Sequence, residues 1–144
     1  MNIKAVSEKM GITQDTLRYY ERVGMIPPVT RTAGGIRDYQ EKDLRWVELA
    51  LCMRSAGLPV ETMVSYVALV QEGEATIPER LQLLTEQREA LLRQRTQIDA
   101  TLDRLNYKIT KYEEAVKTGT LEWTKEDTGK MRKEPPAADR VPGI

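Results

Sequence analysis

Two groups of residues in this 144-residue sequence have types and spacing suited to chemistry. The first is Gln14, Asp15, Thr16, Arg18, Tyr19 and Arg22, with Thr13 just before them. Gln14, Arg18 and Arg22 stand at i, i+4 and i+8, so on a helix they share one face, with Tyr19 beside it. Donors and acceptors near the start of such a helix can reach base edges in a major groove, and Arg18 and Tyr19 suit phosphates. Arg31 and Arg37 flank Ala33-Gly34-Gly35 and carry the basic character onward. The same residues would equally suit the solvated surface of a small helical domain. The second group is a single thiol, Cys52. Its neighbours at helical spacing are Glu48, Leu49, Ser55 and Ala56; none is basic, so nothing local favours a thiolate. A lone cysteine in a helix also serves as a small buried hydrophobe.

Much chemistry is excluded. The sequence has no His, which removes the commonest general base and every Ser–His or Cys–His triad. One Cys allows neither an intrachain disulfide nor a multi-cysteine metal site. No Walker A, GxGxxG or HExxH pattern occurs, and the carboxylate pairs Glu113-Glu114 and Glu126-Asp127 sit on solvated stretches. The expectation is a protein with no cofactor, no metal and no enzymatic activity. Lys plus Arg and Asp plus Glu each number 22, so the formal net charge is zero. The charge is unevenly spread, however: residues 1–37 carry 6 basic and 3 acidic side chains. No apolar run approaches the roughly 18 residues of a membrane span, and the start lacks a secretory h-region. A cytoplasmic protein with a free thiol is the expectation.

The elements that must position these groups are legible from punctuation and period. Ile3, Val6 and Met10 form one stripe of a first helix, and Gly11-Ile12 forms a turn. Thr13 is placed to cap a second helix running to about residue 23, where Gly24 stops it; Leu17 and Tyr20 form its inner face. Helix, glycine turn and helix at this size is the helix-turn-helix pattern. Residues 31–39 read as a small basic hairpin. Helices over about 41–56 and 60–71 follow, ended by Gly57 and Gly73. Trp46 is placed to plug the junction between this head and the helix that comes next, while Tyr66, Tyr107 and Tyr112 read as packing residues.

From Ile77 the seam Ile77, Leu81, Leu84, Arg88, Leu91, Arg95, Ile98, Leu102, Leu105, Ile109, Tyr112, Val116 alternates steps of four and three without a break. That is a heptad stripe. A helix of this length is about 60 Å long, too long for a small monomer to bury its stripe against itself. It should pair with a second chain. Arg88 and Arg95 on the seam would set register, or else extend their stems outward. The expected division is a winged helix-turn-helix head with supporting helices over 1–75, a coiled-coil dimerisation helix over 76–116 and a polar tail over 117–144.

The run Thr16-Leu17-Arg18-Tyr19-Tyr20-Glu21-Arg22-Val23-Gly24-Met25-Ile26-Pro27-Pro28 resembles the signature of MerR transcriptional regulators. So do Gly35-Ile36-Arg37-Asp38-Tyr39, Asp43-Leu44 and Met53-Arg54-x-x-Gly57-Leu58. The resemblance implies a mainly α fold: a winged helix-turn-helix head and a long helix that forms an antiparallel coiled coil in a two-fold homodimer. It implies binding to pseudo-palindromic double-stranded promoter DNA, distortion of an over-long promoter spacer, and engagement of RNA polymerase there. By position, Arg18, Tyr19, Arg37 and Tyr39 should contact DNA, and Tyr20 should be core. Ile36 stands where the family usually has Tyr. The cysteines of the family's metal-sensing branches are missing, and too little chain follows Val116 for a large drug-binding domain. What remains resembles the short, single-cysteine NmlR/AdhR-like branch, associated with aldehyde, electrophile and nitrosative stress, with Cys52 as the expected sensing residue. Two other readings stay open: an architectural or excision factor that binds DNA without an effector, and a coiled-coil interaction protein that binds no DNA.

Overall fold

The computed structural model describes residues 1–127; the part of the expected polar tail at 128–144 lies outside the described residues. The chain is mainly α-helical. By packing it divides into two units, Met1–Gln87 and Arg88–Ile144.

The first unit holds α1 (Ile3–Met10), α2 (Gln14–Val23), α3 (Glu41–Ser55) and α4 (Val60–Glu72), then a short 3-10 turn, Glu74–Thr76, and the start of α5 (Ile77–Thr118). The Asn2 side chain caps α1 through the Ala5 N–H at 2.8 Å. Thr13 caps α2 through the Thr16 N–H at 3.0 Å. Gly11 and Gly24 close the two helices in the left-handed region, at φ 69° and 85°, where any side chain would be strained. The expected starts of all five helices are therefore found, with ends within two residues. Val6, Leu17, Tyr20, Met25, Ile26, Val29, Tyr39, Val47, Ala50 and Met63 form one core beneath them. At the start of α3 the Asp43 carboxylate accepts the Gln40 N–H at 2.8 Å. Trp46 packs on Tyr66 with ring centroids 5.8 Å apart, tying α3 to α4.

The expected hairpin is smaller than a two-stranded ribbon. It is a single antiparallel bridge, Arg31 to Arg37, closed by the Thr32 N–H on Ile36 O at 2.8 Å and the Asp38 N–H on Thr30 O at 2.7 Å. No named strand occurs among the described residues. Beyond this bridge the Tyr39 N–H turns to the Met1 carbonyl at 2.7 Å instead of extending the ladder.

In α5 no residue is buried. Of its heptad seam, Ile77, Leu81, Leu84, Ile98, Leu102, Leu105, Ile109, Tyr112 and Val116 are all exposed. Arg88 lies on this exposed stripe and pairs with its neighbour Glu89 at 3.4 Å. In the second unit, the chain after α5 is anchored by Asp127, which accepts hydrogen bonds from Tyr107 and from the Thr124 N–H (2.9 Å) and pairs with Lys111 at 3.2 Å. The Tyr107 hydrogen bond, the Thr124 N–H and Lys111 together hold the Asp127 carboxyl well below the usual range against its own burial. The same bond pushes the Tyr107 hydroxyl up to about 12. No described helix is long and apolar enough to cross a membrane.

Candidate nucleic-acid interface

Leu17 and Tyr20 bury the inner face of α2, which leaves Asp15, Arg18, Tyr19 and Arg22 exposed on its outer side. Thr13 and Thr16 share a hydroxyl–hydroxyl hydrogen bond of 2.8 Å at its start. Arg18 donates to Asp15 at 3.0 Å and to Gln14 at 3.3 Å. Its cation is thus held along the first turn of α2, by contacts exposed enough to be worth little each. Arg22 sits over the Tyr19 ring, 5.5 Å from its centroid. The structure therefore brings Thr13, Gln14, Asp15, Thr16, Arg18, Tyr19 and Arg22 onto one polar surface.

The wing joins that surface through Glu21. Arg37 donates Nε to Glu21 Oε1 at 2.7 Å, and Arg31 lies 3.6 Å from the same oxygen. The other carboxylate oxygen accepts the Val29 N–H at 2.7 Å. Burial pushes the Glu21 carboxyl up, but the Val29 N–H and the guanidiniums of Arg37 and Arg31 outweigh it and hold the group below its ordinary value. Arg31 also caps the turn by donating to the Gly35 carbonyl at 2.8 Å. Ile36, at the tip, is 68% exposed.

Tyr39 departs from expectation. Read from the sequence as a DNA contact, it is only 1% exposed and belongs to the core. Its N–H pairs with the Met1 carbonyl at 2.7 Å, and its hydroxyl has no partner among the described residues. Burial pushes that hydroxyl up, against the pull of Arg37. The ring pays its way by packing under the wing, where it has no surface to present. Glu21 is the residue that sequence reasoning missed. It stands inside the quoted motif, but its partners lie far along the chain.

Cys52 is exposed on α3, so it is not the small buried hydrophobe that a lone helical cysteine often is. Ser55 donates to the Cys52 carbonyl at 2.9 Å, and the nearby Arg54 is occupied with the Leu58 carbonyl at 2.6 Å. No described group of three or more Cys, Asp or Glu could hold a metal ion.

Comparison with known proteins agrees with this geometry. Residues 1–67, which hold α1, α2, the wing, α3 and most of α4, match the MerR HTH family regulatory protein model. The chain is 49% identical to the HTH-type transcriptional regulator AdhR of Bacillus subtilis over 92 residues, 64% of this chain and 66% of that protein. A Listeria monocytogenes structure described as a MerR family transcriptional regulator superposes with a TM-score of 0.79 at 43% identity, covering 83% of this chain and 90% of that one. HiNmlR, a MerR family regulator lacking the sensor domain and solved bound to promoter DNA, superposes at 0.75 with 32% identity, covering 83% and 95%. These relatives are regulators, not enzymes, and the two structures cover 83% of this chain, more than the head alone. The exposed face of α2, the wing beside it and the long helix are thus the parts of a shared design, and the chain belongs to the MerR family of helix-turn-helix transcriptional regulators, in its AdhR/NmlR-like branch.

Proposed function

We propose that the protein is a homodimer that binds a pseudo-palindromic promoter site and controls transcription by distorting the spacer. In this reading α2 enters the major groove, with Thr13, Gln14, Asp15 and Thr16 toward base edges and Arg18, Tyr19 and Arg22 toward phosphates. Arg31 and Arg37 hold the neighbouring backbone, and Tyr39 supports them from below. Residues 1–75 act as the head, 76–116 as the dimerisation helix and 117–144 as the tail. RNA polymerase then engages a promoter whose elements the bend has realigned. The observation that carries the reading is the single polar surface formed by α2 and the Glu21-linked wing. The promoter DNA bound to HiNmlR supports it, as does the exposed seam, which two α5 helices running antiparallel would bury.

The inducer is an aldehyde or related electrophile, or a nitrosative species, captured at Cys52. The exposure of the thiol and the likeness to AdhR support this. In vitro transcription from the protein's own promoter, with and without a small aldehyde, tests it. Induction by wild type that is lost in Cys52→Ala is expected. Equal induction by both proteins would move the sensor elsewhere, and absence of induction in either would overturn aldehyde sensing.

A further inference from the structure

We propose that Glu21 is a positioning residue for DNA binding, holding Arg37 by its inner edge so that the outer edge of the guanidinium meets a phosphate. The inference rests on the reading of α2 and the wing as the DNA-binding face. Arginine presents five N–H donors in a rigid planar fork. Here Nε is committed to Glu21 at 2.7 Å, and Glu21 is the partner found for this guanidinium among the described residues. The four Nη hydrogens remain for a ligand that accepts two parallel bonds, as a phosphate does. The carboxylate is itself fixed. Its side chain is only 12% exposed, and its second oxygen is anchored by the Val29 N–H. One carboxylate thus joins α2, the loop at Val29 and both sides of the wing turn.

A plain electrostatic account predicts the opposite effect. Glu21 is an anion beside a surface meant for phosphates, so removing its charge should tighten binding and leave the number of phosphate contacts unchanged. Positioning predicts that removing the charge weakens binding, because an unbuttressed arginine must be ordered at the moment of contact. The sign of the change decides between them.

The test is binding of the full-length protein to a mixed-sequence DNA duplex, followed by fluorescence anisotropy across a salt series. Glu21→Gln keeps an acceptor for Val29 but loses the charged hold on Arg37. It should bind about three- to tenfold more weakly, and its salt slope should fall by about one. Arg37→Lys keeps the charge but has no fork, and should lose as much. In the Arg37→Lys background, Glu21→Gln should cost nothing further, since both changes remove the same contact. Thermal unfolding of each variant checks that the head stays folded. Wild type that binds with a steep salt slope, with Glu21→Gln equal or tighter, would overturn the positioning role alone. Wild type with no salt-dependent affinity would overturn both this role and the DNA-binding reading beneath it.

Discussion

At the scale of single residues, two side chains decide how the surface is held. Glu21 takes up its proton less readily in the fold than in the unfolded chain, because Val29, Arg37 and Arg31 all favour the carboxylate. Its stabilising contribution is therefore complete above the ordinary value of 4.5 and disappears as pH falls through the lower value of the fold. Glu21→Gln should remove part of the acid sensitivity that sets in below the ordinary carboxyl value of 4.5, while leaving the neutral-pH profile unchanged in shape. Denaturant unfolding across that range measures it, and an identical acid limb in both proteins would contradict the assignment. Tyr39 makes the complementary case. Its buried hydroxyl has no partner among the described residues, and an unsatisfied buried hydroxyl costs roughly 1–3 kcal/mol. Tyr39→Phe should be neutral or more stable; a loss above about 1 kcal/mol would mean that the hydroxyl is satisfied by ordered water. Neither role could be read from the sequence. Glu21 meets Arg37 across 16 positions, and a tyrosine next to Arg37 and Asp38 looks like a surface residue until the core beneath it is known.

At the scale of elements, the sequence was far more legible, because helix ends are governed by local chemistry. Thr13 has the acceptor that the Thr16 N–H needs, and Gly24 adopts a φ of 85° that side chains resist. That glycine yields a clean prediction. A Cβ placed on it would lie 3.8 Å from Val64 Cγ1, an ordinary contact, so space is no obstacle. The cost of Gly24→Ala is then conformational, about 1–2 kcal/mol, and Gly24→Asn should cost less because Asn tolerates the left-handed region. Chemical denaturation of the two variants checks the order; equal losses would point to packing. Elements built from non-local contacts were less visible. The wing was expected as a hairpin but closes on one bridge. The knot before α5 gave no signal at all: Thr76 donates to the Leu69 carbonyl at 2.6 Å and accepts from Arg80 at 2.9 Å. Its partners lie on two different helices, Leu69 on α4 and Arg80 on α5, and neither helix's period reports a contact across Gly73.

At the scale of the whole molecule, the exposed seam of α5 is the feature that a single chain leaves unexplained. Nine apolar or aromatic seam residues face solvent along one helix with no buried residue. Contiguous apolar surface of this kind marks an interface. In the proposed antiparallel pair, a residue near the middle of the seam meets its own copy across the two-fold axis, and Arg95 and Ile98 lie nearest that midpoint. Ile98→Asp would then place two carboxylates close together in an apolar layer. Association should weaken by at least about a hundredfold, since burying an unpaired charge costs several kcal/mol. Sedimentation should show monomers while helix content falls only modestly, because the head carries its own core. DNA affinity should drop with dimerisation, because one head loses the effective concentration supplied by its partner. The salt slope should fall to about half as the second set of phosphate contacts is lost. Arg95→Leu should act in the other direction, strengthening association by removing a polar seam residue while relaxing register and partner number. If Ile98→Asp remained dimeric with an unchanged salt slope, the heads would have to be joined by some surface other than the seam.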